Sequence, residues 1–141
     1  IDPETFKLLV GIVNENHHWT LVVIYPLEKR TVFLNSLGES QKDLKRSLEA
    51  TRAFMRSKGM KVSRWKCDTV QHAMQQDVVS CGVFALKFAE CILENKNLNF
   101  PSTAEAVNTM RLNISSTVLS ESDSVENICR HCGSEDTEDL W

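Results

Sequence analysis

The sequence predicts an α+β fold: a small, mainly antiparallel sheet packed against a buried central helix whose first turn carries a candidate nucleophile. Three observations lead there. Short β-rich runs at 7–13, 19–25 and 31–34 follow one another across brief polar turns. Further on, Val83 to Leu93 is a long apolar run without glycine or proline, too extended for a strand. At the head of that run stands Ser80-Cys81-Gly82, a cysteine between a small polar residue and a glycine.

The 141 residues suit one domain with enough chain for a real core. Hydrophobic residues at 42% and charged residues at 25% are ordinary for a soluble globular protein. A net charge of −3 offers no basic footprint for nucleic acid or an anionic membrane. No apolar run approaches the ~20 residues of a transmembrane helix. The opening Ile1-Asp2-Pro3-Glu4 lacks the basic and apolar pattern of a secretory signal. Cys67, Cys81, Cys91, Cys129 and Cys132 make an odd count, read as reduced thiols of an intracellular protein of nucleus or cytoplasm. No cofactor is expected, and the domain reads as a monomer.

In chain order, residues 7–13 read as a buried strand, with Gly11 a bulge or close-approach point. Asn14 to His17 form a polar turn. Residues 19–25 are apolar on both faces, which suits a central strand. Pro26 to Arg30 connect to 31–34 as a hairpin. Ser36 or Ser40 can cap a helix over 41–58, with Leu44, Leu48, Thr51 and Met55 on the inner face, Phe54 beside them, and Gly59 as the stop. A short strand is expected near 62–67, with Trp65 in the core. Residues 80–95 form a helix apolar almost all round, hence buried, with Cys91 structural. Pro101, Ser102 and Thr103 start a last helix over 103–119. From 120 to 141 the chain turns acidic and serine-rich, the composition of a flexible tail.

The chemistry-bearing residues stand at the ends of these elements. A thiol in the first turn of a helix feels the positive end of its dipole, which favours thiolate. A histidine pair, His17-His18, precedes the central strand, and Asn35 ends its antiparallel neighbour. That puts a base and an orienting amide at one sheet edge, which is what nucleophilic cysteine chemistry needs. Gln75, six positions before Cys81, can aim an amide at an oxyanion. Each residue alone has a plainer reading: Cys81 as a small core residue, His18 as a core or surface histidine, Asn35 as a turn residue. His17 and His72 are rival bases, His17 because one step of register exchanges the two faces.

His18-Trp19, Asn35-Ser36, Gln75 and Ser80-Cys81-Gly82 together resemble the catalytic half of the ubiquitin-like-protein-specific cysteine proteases. These are the SUMO (sentrin)-specific proteases, related to the adenovirus protease. The spacings match that pattern: seventeen positions from His18 to Asn35 and six from Gln75 to Cys81. The resemblance spans about residues 8 to 119, includes a weaker match of Met110-Arg111 and Ile114 to the closing helix, and implies a cysteine-protease-like fold. It implies His18 as general base, Cys81 as nucleophile, Gln75 as oxyanion-hole residue and Trp19 as a wall of the substrate channel. The implied reaction is cleavage after the terminal glycine of a ubiquitin-like modifier such as SUMO, in deconjugation or precursor processing. Asn35 departs from the usual aspartate: a neutral amide can orient an imidazole but does not stabilise imidazolium by charge. The alternative is a catalytically weak, protease-derived domain that binds a modifier or partner.

The resemblance also implies a substantial segment before His18-Trp19, so residues 1–119 read as an N-terminally truncated protease-like domain, followed by the 120–141 tail. Within the tail, Cys129-Arg130-His131-Cys132-Gly133, continuing to Leu140-Trp141, resembles the opening of a plant homeodomain finger. Cys129 and Cys132 supply half a zinc site, so no metal is expected to be held as the chain stands.

Overall fold

The computed structural model describes residues 2–122. After a 3₁₀ turn at Pro3–Thr5 come β1 (Leu9–Glu15), β2 (His18–Tyr25), β3 (Arg30–Leu34), α1 (Gln41–Ser57), β4 (Lys66–Asp68), α2 (Cys81–Leu93) and α3 (Ala104–Glu121). The sheet order is β1-β2-β3-β4, with the first two pairings antiparallel and β3-β4 parallel. The parallel pair follows from α1, which carries the chain across between β3 and β4.

The sheet has a helix layer on each face. Alternate residues of β2 and β3 (Leu21, Val23, Val32, Leu34) pack with Val83, Phe84 and Phe88 of α2 and with Val107 and Met110 of α3. On the other face Ile24 joins Met55 of α1, Val62 and Trp65, with the Trp65 indole N–H donating to Thr31 Oγ1 at 2.9 Å. Phe84 is fully buried, a contribution of about 1.5–3 kcal/mol by area, and it holds α2 over the central strand. Both flanking helices are capped from local sequence. Ser40 and Asp43 form a reciprocal capping box on α1, and Thr103 accepts from the Ala106 N–H on α3. Gly59, at φ +83°, closes α1 with its own N–H on Arg56 O and the Met60 N–H on Met55 O, a Schellman end.

Several expectations change. β1 is an exposed edge strand rather than a buried one, because it pairs only with β2 and the helices cover little of it beyond Leu9. Gly11 lies in regular register with Val22 and marks no bulge. On α1, Ser47 takes a buried place while Phe54 is exposed. α2 is not apolar-buried all round: Leu86 and Leu93 face outward, since only one side of the helix meets the sheet. α3 continues to Glu121, so Ser120 and Glu121 belong to the helix and not to the tail. Cys129, Cys132 and the finger-like run lie outside the described residues. Among the described residues, no helix is long and apolar enough to cross a membrane.

The β1-β2 loop is only Asn16-His17, both at positive φ (51° and 62°), the signature of a type I′ hairpin turn. Asn and His enter that region more readily than most residues, but any Cβ there carries a cost that glycine does not. Exchanging His17 for glycine relieves ~1–2 kcal/mol of left-handed strain against a glycine entropy cost of ~0.5–1 kcal/mol. His17→Gly is therefore expected to raise the denaturant midpoint, and an unchanged or lowered midpoint would contradict a strained turn.

Candidate active site

The tight turn makes His18 the first residue of β2, and the β2-β3 register brings the end of β3 back to the same edge of the sheet. There His18 Nε2 lies 2.8 Å from Asn35 Oδ1. The Leu37 backbone N–H donates to the same oxygen at 2.9 Å. A backbone N–H can only face the amide oxygen, so the orientation of the Asn35 amide is determined. Since Oδ1 is purely an acceptor, His18 Nε2 must carry the hydrogen, which leaves Nδ1 with its lone pair free. His17, one residue away, is exposed at the turn.

Cys81 is the first residue of α2 and is buried. α2 packs on β2 so that a Cβ at Gly82 would stand 3.4 Å from Trp19 Cδ1. The dipeptides His18-Trp19 and Cys81-Gly82 are thus neighbours, with the indole packed against Gly82. Trp19 is 42% exposed and borders a surface cleft of about 420 Å³ with Val79, Gly82, Arg111 and Ile114.

Gln75 is buried behind the same edge. The Ser36 hydroxyl donates to its Oε1, its Nε2 donates to Asp77 O at 2.7 Å, and its backbone N–H donates to Ser36 O at 2.9 Å. One amide hydrogen is thereby used and the second is available to another acceptor. Asn35-Ser36 therefore orients the histidine with one residue and the glutamine with the next.

Ser80 gives α2 no side-chain cap. Its hydroxyl instead donates to Asp77 Oδ2 at 2.5 Å and accepts from the Arg111 guanidinium at 3.0 Å. Asp77 Oδ1 accepts from the Val79 and Ser80 N–H groups. The Ser80 hydroxyl first, then the Val79 N–H, hold the Asp77 carboxyl below the usual range. This cluster leaves the first-turn N–H groups of α2 uncapped by side chains, as an anion-binding helix tip requires. Asp77 escaped the sequence reading, although Asp three residues before Ser is a recognisable turn signal. Arg111 was seen only as part of a closing-helix match, and its reach to Ser80 across 31 positions has no local signature.

The rival groups are accounted for. Both ring nitrogens of His72 are engaged, Nδ1 with Ala73 O and Nε2 with Glu39 Oε1, so neither is open to a thiol or a substrate. Cys67 and Cys91 are both pushed above the ordinary thiol range, chiefly by burial, which makes them poor nucleophiles. Among the described residues no group of three or more His, Cys, Asp or Glu side chains could hold a metal ion.

The fold has counterparts among solved structures. The SUMO protease Ulp1 with its catalytic cysteine oxidised to a sulfonic acid superposes with a TM-score of 0.73 at 16% identity, over 85% of this chain and 56% of that one. The C-terminal Ulp1 protease domain in complex with Smt3, the yeast ortholog of SUMO, gives 0.73 at 17% identity, over 85% and 55%. The Ulp1-like SUMO protease catalytic domain of Chaetomium thermophilum gives 0.61 at 20% identity, over 77% and 44%. The chain thus spans about half the length of these structures, and the likeness is one of fold. No curated protein matches the sequence. The model of the Ulp1 protease family, C-terminal catalytic domain, matches residues 5–124. With most of its length matched by that family and its fold shared with these proteases, the chain belongs to the Ulp1 protease family.

Proposed function

We propose that this domain is a cysteine peptidase that cleaves after the C-terminal glycine of a ubiquitin-like modifier such as SUMO, from conjugates or from a precursor. The observation that carries the reading is the His18–Asn35 hydrogen bond, with the Asn35 oxygen held by the Leu37 N–H. It fixes the histidine tautomer that general-base chemistry at Nδ1 needs.

In this reading His18 Nδ1 takes the Cys81 thiol proton and the thiolate attacks the carbonyl carbon of the glycine. The oxyanion is met by the spare Gln75 amide hydrogen and by the uncapped N–H groups at the start of α2. The tetrahedral species collapses as His18 returns its proton to the leaving amine, and a thioester remains on Cys81. Water, deprotonated by His18, attacks the thioester and releases the modifier carboxylate and the thiol. Trp19 forms a wall that favours the slender glycine tail over bulkier residues. The domain acts as a monomer without nucleic acid or membrane, in nucleus or cytoplasm, where its thiols stay reduced.

A modifier carrying a C-terminal vinyl sulfone tests this. Wild type should be captured covalently and Cys81→Ala should not. Tight binding without capture would instead favour a modifier-binding module, the reading that the neutral Asn35 motivates. Asn35→Asp is expected to raise kcat about tenfold, because a carboxylate stabilises the imidazolium by charge, an effect of ~1–2 kcal/mol at short range. A kcat unchanged or lowered in Asn35→Asp would mean that the amide is already the better partner here.

A further inference from the structure

Behind Asn35 lies a buried pair that the proposed reaction does not use. The side chains of His72 and Glu39 are only 4% and 8% exposed, and their Nε2 and Oε1 atoms stand 2.7 Å apart. Glu39 Oε1 also accepts the Asn35 backbone N–H at 2.6 Å. On its other side His72 Nδ1 meets Ala73 O at 2.8 Å, and the ring packs edge-on against Phe88 of α2 at 5.0 Å between centroids. The imidazole is thus held from both sides, by the Ala73 carbonyl and by the Glu39 carboxyl.

The pair joins two segments that are otherwise separate in sequence. Glu39 belongs to the loop that carries Asn35 and Ser36, and His72 to the segment that leads through Ala73 to Gln75. The loop lies outside regular structure, between the end of β3 and the start of α1. A buried ionic contact is an expensive way to glue a fold, because desolvation offsets most of its attraction. It does impose directional constraint, and here the constraint falls on the Asn35 peptide.

We propose that Glu39 and His72 are positioning residues: the pair acts through the Asn35 N–H to hold the Asn35 side-chain oxygen against His18, and ties that loop to the Gln75 segment. The inference rests on the proposed protease reading for its kinetic consequences but not for its structural ones. In Glu39→Ala, kcat on a modifier fusion should fall about tenfold or more with KM within about twofold, since misplacement of ~1 Å in a catalytic group costs up to ~10²-fold. Glu39→Gln, which keeps an acceptor for the Asn35 N–H, should recover most of the rate. In an Asn35→Ala background, Glu39→Ala should cost less than about twofold more, because the residue it acts through is already gone. An equal loss in both backgrounds, or Glu39→Gln as poor as Glu39→Ala, would overturn the proposal. A second readout needs neither activity nor a folded alanine variant. By NMR, the wild-type Asn35 amide proton should be shifted downfield by its charge-assisted bond, and should move upfield and exchange faster in Glu39→Gln. An Asn35 amide unmoved by that change also overturns it. Wild type inert toward every modifier would refute the protease reading, while the Asn35 amide would still decide the positioning.

Discussion

Cys81→Ser should lower kcat/KM for a modifier fusion by about 10⁴-fold or more, while thermal unfolding shifts by no more than a few degrees. The size follows from the chemistry: removing one member of a catalytic unit that acts together costs on the order of 10⁴–10⁶-fold. A serine hydroxyl beside a histidine whose partner is a neutral amide is a far weaker nucleophile than a thiol. The small stability effect follows from the location. Cys81 is buried at a helix start, where serine fits the same volume and suits the N-terminal turn. Steady-state cleavage and a melting curve on the same preparation check both halves. Residual cleavage within about tenfold of wild type would place the nucleophile elsewhere; of the other described thiols, Cys91 is buried and Cys67 half-buried, and both are pushed above the ordinary thiol range.

His18→Ala should cost about 10³-fold or more in kcat, whereas His17→Ala should leave kcat within about twofold. General-base transfer is worth typically ~10²–10⁴-fold. The two histidines are adjacent, so a nonspecific effect on the hairpin would strike both variants alike. Only His18 meets Asn35; His17 sits exposed in the turn at φ 62°. The pair of variants therefore separates catalysis from local folding in one experiment, read as kcat at saturating substrate. Equal losses in both would mean that the hairpin matters and the imidazole at 18 does not.

Much of this site was legible in the chain because it is built from element ends. Apolar runs located β2, β3 and α2 to within a residue or two, and residue type together with the family resemblance singled out His18, Asn35, Gln75 and Cys81 as candidates. The neutral Asn35 was equally visible, though not the Leu37 N–H that determines which way its amide faces. The burial of β1 was misread for a plain reason. An apolar run signals a strand, but what covers the strand comes from other segments, and β1 has a neighbour on one side only. Leu86 and Leu93 fail likewise: composition cannot say which side of a helix meets the sheet.

From the residue order alone came the α+β plan, a polar turn ahead of β2, the starts of α1 and α3 within a residue or two, and the helix that opens at Cys81, because each depends on contacts within a few residues. The structure chose Ser40 over Ser36 as the α1 cap and narrowed the turn to Asn16-His17. Tertiary structure alone decided that Glu39 meets His72 and that Arg111 reaches Ser80, pairings across 33 and 31 positions. Side chains so far apart in sequence have no shared periodicity or turn chemistry. They meet only because the sheet register and the packing of α2 and α3 have already brought their backbones together.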